Sequence, residues 1–282
     1  MPSRSPTVRG LAERLPVSKK PIFKDIATPF REIPRGLTVG LPFLIWIVVI
    51  AVWFLVTYSG WVPSIFLPRP DTVVERTFAM AADGSLWEHI GASIEVVLIG
   101  FVISSIIAVP LGLFMGTYRV VQAMLDPLVN FIRYLPVTSL IPLFILWIGI
   151  DIRERILVIF FGTFFQQVVM LADAGRSVPR DLVNAAYTLG TRRKDTVFHI
   201  VLPATLPNIL DILRVTMGWA WTYVVAAELV AASAGLGYIS MKALRGFQVD
   251  VIFMAVAFIG ILGVATDQVF RLIRRFAAPW AN

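Results

Sequence analysis

Six long apolar stretches, separated by polar and charged segments, set the pattern of the chain. Leu37–Pro68 and Val96–Tyr118 contain no Asp, Glu, Lys or Arg. Each is longer than the roughly 20 residues that carry a helix across a bilayer, and a soluble core does not absorb such runs. The pattern predicts an all-α membrane protein with about six transmembrane helices, at Leu37–Tyr58, Ser93–Thr117, Ala123–Ile150, Arg155–Ala174, Pro207–Ala232 and Asp250–Arg274. Pro136 and Pro142 fall inside the third, which is expected to kink or break there, as membrane helices can when neighbours take up the freed carbonyls. Between the first two spans, Ser59–Ala92 mixes prolines and charges with Trp61 and Trp87 and is expected at the membrane surface, its tryptophans at the interface.

Composition agrees with lipid as the solvent: 57% of the 282 residues are hydrophobic and 15% charged, against nearer half and a quarter in soluble domains. The formal net charge of +7 does not point to nucleic acid, because the basic residues are scattered among the segments between apolar runs. Residues 1–36 form a basic, proline-containing N-terminal tail with Arg4, Arg9, Arg14, Lys19, Lys20, Lys24, Arg31 and Arg35, a composition that disfavours a packed core. It reads as a solvated tail held near anionic lipid headgroups rather than a specific binding arm. The first apolar run is too long, and its basic prelude too extended, for a signal peptide, so it is expected to be an uncleaved first span. With the amino terminus inside, Arg119, Arg176, Arg180, Arg192, Arg193, Lys194, Arg271, Arg274 and Arg275 fall on the cytoplasmic side together with the tail. Arg69, Arg76, Arg153, Arg155, Lys242 and Arg245 fall outside. Both termini cytoplasmic therefore satisfies the positive-inside rule. Cysteine is absent, which excludes disulfides, thiolate metal sites and cysteine nucleophiles. His89 and His199 fall on opposite sides in this topology, so they form no metal site, and none is expected.

The segment 175–206, between the fourth and fifth spans, is too long for a simple connector. Pro179 suits a first helical turn and Asp181 suits its dipole; Leu182, Ala185, Ala186 and Leu189 recur at helical spacing, and Gly190 is the expected stop. A second amphipathic piece, Arg192–Val201, runs into Leu202 and Pro203, after which Thr205 and Pro207 suit a cap and first turn for the fifth span. Two short helices meeting at a glycine make either a knob that fills a groove on a partner or an amphipathic pair lying on headgroups.

The run Asn184-Ala185-Ala186-Tyr187-Thr188-Leu189-Gly190, followed after nine residues by Ile200-Val201-Leu202-Pro203, resembles the EAA loop of binding-protein-dependent ABC importer permeases. Ser93–Gly116 with Gly100-Phe101 and Pro110-Leu111-Gly112-Leu113, then Leu125-Asp126-Pro127-Leu128, Ile141-Pro142-Leu143-Phe144 and Ala227-Glu228 through Gly235-Leu236-Gly237-Tyr238, look like the nitrate, sulfonate, taurine and bicarbonate group of that superfamily. Asn184 stands where the motif has Glu, which replaces a charge by a hydrogen-bonding amide, and Glu95 stands where a basic or neutral residue is expected. The resemblance implies a type I importer permease fold in a bacterial inner membrane, comprising a permease domain over 37–274 and a short cytoplasmic tail, 275–282. It also implies two ABC ATPase subunits, a second permease copy and an external solute-binding protein as partners. Asn184, Ala185, Ala186, Gly190, Ile200, Leu202 and Pro203 would couple to the ATPases. The cargo it implies is a small anion such as nitrate, bicarbonate, a sulfonate or taurine. The chain has no Gly-Lys-Ser or Gly-Lys-Thr phosphate loop, so ATP would be bound by the partner subunits and no cofactor by this one. It is not expected to be an enzyme, as no acid, base and nucleophile converge. A secondary transporter or channel working without an ATPase is the alternative.

Five residues are candidates for the pathway or gate. Glu228 is the one acid inside the otherwise uncharged run Val215–Met241, and an ionisable group at membrane depth is a functional hypothesis by default; the alternative is a surface cap near the outer end of its span. Arg133, flanked by Asn130 and Tyr134, either attracts an oxyanion or snorkels to the inner surface. Arg214 and Asp211, three apart, form a structural pair or a substrate contact. Gln166 and Gln167, with Thr163, are expected to face the protein interior, as helix-to-helix bonds or as pathway lining. Gly112 and Gly116 form a Gly-x-x-x-Gly step for close helix packing within one subunit or at a dimer seam. Trp219, Trp221 and Tyr223 read as packing or interface anchors.

Overall fold

The computed structural model describes residues 35–192 and 195–281. The expected solvated basic tail over residues 1–34, and the expected cytoplasmic Arg193 and Lys194, lie outside the described residues. Two compact units divide the chain, Met1–Leu55 and Val56–Asn282. Of the first, the described part belongs to helix α1, Arg35–Tyr58, whose run from Leu41 to Leu55 carries no charge.

Among the described residues, the second unit is built of helices joined by short turns and loops, with no strand. After α2, Pro70–Ala82, comes α3, Ser85–Thr117, then α4, Arg119–Arg133, and α5, Val137–Ile148. α6 is Ile152–Arg176 and α7 Arg180–Thr188; α8, Leu202–Ala231, α9, Leu236–Arg245, and α10, Val249–Ala277, complete it. Five helices, or six if the bent α4–α5 pair counts as one span, are long and apolar enough to cross a membrane. The expected number of spans is therefore met.

Several predicted boundaries are corrected. α3 starts at Ser85 rather than Ser93; its 33 residues reach roughly 50 Å at 1.5 Å per residue, well beyond the bilayer core. The third span, predicted as Ala123–Ile150, is two helices that turn through 95°. Pro136 causes the break: the residue before a proline is pushed out of the α region, and Pro136 itself takes an extended ψ of 107° as the N-cap of α5. Pro127 and Pro142, by contrast, sit within α4 and α5. The fifth span starts at Leu202, not Pro207. A π-helical turn, Val197–Val201, leads into it without interruption. Thr205 lies within the helix and donates back to the Val201 carbonyl at 2.7 Å, so it is no cap. The segment Ser59–Ala92 contains an unpredicted helix, α2, started by Pro70 at its first position with Asp71 in the first turn. α9 was likewise not foreseen.

The core is built on α3 packed along α6, with α8 packed against both. Glycines permit the approach. A Cβ on Gly112 would stand 2.6 Å from the Leu171 Cβ, and one on Gly116 would overlap the Ala172 carbonyl. The Gly-x-x-x-Gly step thus serves packing inside the subunit. Val168, Leu171 and Ala172 from α6, with Leu113 and Met115 from α3, fill one buried cluster; Val96, Val97, Ile159, Ala220 and Val224 fill another.

Between these clusters lies a buried polar knot joining three helices. Ser104 donates to Gln167 Oε1 at 2.9 Å, and Gln167 Nε2 donates to Ser105 Oγ at 3.2 Å and Thr216 Oγ1 at 3.1 Å. Gln167 and Thr163 are both wholly buried, and Thr163 Oγ1 lies 3.0 Å from Ser104 Oγ. In an apolar surrounding each of these groups needs its partner. Gln167→Leu is expected to lower stability by about 1–3 kcal/mol, because it leaves the Ser104 hydroxyl without its acceptor. Thermal unfolding in detergent measures this, and a melting point equal to that of the unsubstituted protein would disprove it.

Candidate functional site

Two regions combine exposure with unusual chemistry: the knob after α6, and a cavity at the α4–α5 bend.

The knob is a compact unit. α6 ends at Arg176, Pro179 caps α7, and Asp181 lies in its first turn. The C-terminus of α7 closes in a Schellman arrangement: Gly190 N–H bonds the Tyr187 carbonyl and Thr191 N–H the Ala186 carbonyl, each at 3.0 Å. That geometry needs a left-handed residue, and Gly190 supplies it with φ +94°. Ala186 is buried, and Thr196 donates to the Tyr187 hydroxyl at 3.2 Å, pinning α7 to the turn that becomes α8. Asn184 and Ala185 are exposed, Leu182 is 45% and Leu189 88% exposed. Ile200 and Leu202 are half-buried and Pro203 exposed. Of the predicted second piece, Arg192–Val201, the described residues from Asp195 on are helical, include the π turn Val197–Val201 and continue directly into α8.

The cavity, of about 400 Å³, opens where α4 breaks from α5. α6 contributes Phe161, Gly162, Phe165 and Gln166; α8 contributes Trp219, Thr222 and Tyr223. Gly162 is needed because the Tyr223 ring lies against its backbone, where a side chain would overlap it. Arg133, the last residue of α4, enters this cavity wall. Its Nη2 donates to Asn130 Oδ1 and to the Tyr134 hydroxyl, both at 3.0 Å, while its Nε is buried without an acceptor. Arg133 and Gln166 are thus brought together.

The other candidates lie elsewhere. Gln167 belongs to the polar knot. Arg214 stands in an ionic cluster of α8 and α10, 3.8 Å from Asp211 and 3.6 Å from Asp267, which Arg271 and Arg274 complete. The predicted Arg214–Asp211 pair is present. Glu228 is 1% exposed and enclosed: Ser93 Oγ donates to it at 2.7 Å, Gly237 N–H at 2.7 Å, and Gly235, at φ +131°, abuts its carboxylate. Ser93 in turn accepts from Leu236 N–H at 2.9 Å. Glu228 therefore ties α3, α8 and the start of α9 together. The sequence flagged Glu228 but not its partners, which lie 135 residues earlier and nine later. His89 accepts from Gly235 N–H at 3.2 Å beside this tie, whereas His199 lies in the π turn. Among the described residues, no group of three or more His, Asp or Glu could hold a metal. Glu154, at the start of α6, is fully buried with neither oxygen bonded.

Long apolar helices, a span broken over a cavity, and a capped protruding knob define a multi-pass membrane transport subunit. The chain belongs to the family described as binding-protein-dependent transport system inner membrane component, whose pattern matches residues 108–279. It is similar to a protein of Brucella melitensis named as a probable ABC transporter permease, with 38% identity over 86% of this chain and 97% of that protein. It is also similar to the taurine transport system permease protein TauC of Escherichia coli, at 33% identity over 83% of this chain and 86% of that one. The aliphatic sulfonates transport permease SsuC of Escherichia coli is 32% identical over 90% and 96%. Its fold matches a chain of the MetNI methionine ABC transporter in an inward-facing conformation, with a TM-score of 0.52 at 20% identity, covering 67% of this chain and 94% of that one. The chain is accordingly an ABC importer permease subunit of the inner membrane, with a type I importer permease fold.

Proposed function

We infer that this permease moves a small oxyanion, with sulfonates and taurine the leading cargo, from an external solute-binding protein into the cytoplasm by alternating access. Two ATPase subunits supply the energy, and a second permease copy completes the pathway. The relatives named for taurine and aliphatic sulfonates support the cargo; nitrate and bicarbonate are competing cargoes to be tested beside them. Positive charge collected on the knob side supports placing that side, and both termini, in the cytoplasm. Residues 37–274 form the transport domain between the cytoplasmic tails 1–36 and 275–282.

The observation that carries this reading is the knob. α7 is fixed at both ends and pinned by Tyr187 to the turn that continues as α8. Its exposed Leu182, Asn184, Ala185 and Leu189 offer a partner both apolar surface and an amide. Force on α7 is thereby delivered to a membrane helix rather than lost in a loop. Asn184, Ala185, Ala186, Gly190, Ile200, Leu202 and Pro203 are the coupling residues in this proposal.

Gly190→Val tests it. A β-branched residue in the left-handed region costs roughly 1–2 kcal/mol, so the end of α7 should fray while the spans remain inserted. In proteoliposomes with the ATPase and binding protein, uptake per ATP hydrolysed is expected to fall about tenfold, as that energy permits. Normal coupling in the variant would overturn the lever. Taurine uptake by the lone chain, without ATPase, would instead establish a secondary transporter.

A further inference from the structure

Arg133 occupies a place that an ordinary surface cation does not. Measured along α6, its cavity lies at Gly162–Gln166, the middle of a 25-residue helix, roughly 18 Å from either end at 1.5 Å per residue. An arginine side chain cannot reach a headgroup across that distance. The guanidinium has two neutral acceptors at Nη2 and a buried Nε with none, although a buried donor is costly to leave unpaired. The missing partner is an acceptor, and the charge calls for an anion. The unpaired Nε can donate one charge-assisted bond to an oxygen of a sulfonate or carboxylate, and a second would require the anion to displace an Asn130 or Tyr134 bond at Nη2.

The wall is about half apolar, with Ile132, Leu135, Phe161, Phe165 and Trp219 supplying that part. About 400 Å³ far exceeds what an ion of three or four heavy atoms fills. Gln166, Thr222 and Tyr223 add a few polar groups, the combination that suits a ligand with one charged end and a carbon body.

We propose that this cavity is a substrate subsite of the permease itself, in which Arg133 holds the oxyanion of an alkanesulfonate and Phe165 and Trp219 hold its carbon chain. This rests on the sulfonate-importer reading above and adds to it a second selection step after the binding protein. It favours organic sulfonates over nitrate or bicarbonate, which offer the apolar wall nothing.

The test uses the assembled permease–ATPase complex in nanodiscs, without binding protein, titrated calorimetrically with ethanesulfonate, butanesulfonate and nitrate. The subsite predicts butanesulfonate binding tighter than ethanesulfonate by about fourfold per methylene, and nitrate weakest. Arg133→Gln should weaken sulfonate binding about ten- to hundredfold, the loss of a charge-assisted bond. Arg133→Lys, a point charge without the fork, should recover part of it. Trp219→Ala should flatten the chain-length preference while sulfonate still binds. Co-elution with the ATPase establishes that each variant is folded. Equal affinity for all three anions, or unchanged binding in Arg133→Gln, overturns the subsite. Uptake assays with binding protein separate the two claims: no ATP-driven sulfonate uptake by the unsubstituted complex overturns the sulfonate reading, whereas uptake that Arg133→Gln leaves intact overturns the subsite alone.

Discussion

Gly116→Ala, the smallest enlargement available, is expected to separate α3 from α6 and to cost about 3 kcal/mol or more, the upper end for overpacking. The added methyl would overlap the backbone carbonyl of Ala172, which cannot rotate away as a side chain can. Gly112→Ala meets the Leu171 Cβ and the Val168 carbonyl at 2.6 and 2.8 Å and should behave similarly. Gly91, in the same helix, has nothing within 4 Å of its virtual Cβ. Gly91→Ala should therefore be neutral or stabilising, because alanine is the better helix former by about 1 kcal/mol. Thermal unfolding of the three purified variants decides the matter: similar melting points for Gly116→Ala and Gly91→Ala would refute the close approach.

The second large effect is expected at Glu228. Glu228→Ala leaves the Ser93 hydroxyl and the Gly237 N–H buried without acceptors, at about 1–3 kcal/mol for each orphaned group. The turn 232–235 and α9 should loosen first, since they are held to α3 and α8 through this carboxylate. Faster amide hydrogen exchange over 232–245, with unchanged exchange in the knob, is the expected signature. Glu228→Gln separates a tie from a gate. As a tie, its amide can serve Gly237 or Ser93 but not both as the carboxylate does, so exchange rises and uptake falls together. Reduced uptake with unaltered exchange would mean that the carboxylate acts on the passing substrate instead.

Length and apolarity made the spans legible, because lipid imposes a minimum run that no other environment requires. The short helices escaped for the same reason. α2 and α9, of 13 and 10 residues, have mixed compositions and lean on neighbours distant in sequence. Pro136 announced a break but not its 95° angle, which depends on what α4 and α5 pack against. Pro207 suggested a helix start; the π turn upstream carries the helix through it. In the site, Arg133 and Glu228 stood out as charges in apolar runs. Their different situations did not, since the ties to Glu228 come from Ser93 and Gly237, far from it in the chain. Gly190 was the most readable position, as a helix stop that only a left-handed residue provides.

The bend between α4 and α5 has a consequence for permeation. α5 has 12 residues, about 18 Å of helix, too little to cross the hydrocarbon by itself. The peptide groups of Tyr134–Pro136 therefore fall at a depth where lipid would leave them unsolvated, and such backbone survives only where protein or water meets it. The Tyr134 and Leu135 N–H groups bond the Phe131 and Ile132 carbonyls and the Pro136 carbonyl accepts from Ser139 N–H, so the chain meets these groups itself, and the cavity beside them is where the dielectric barrier to ions would be thinnest. A leak of protons or small ions, if the resting transporter has one, should pass beside this break rather than between the continuous helices.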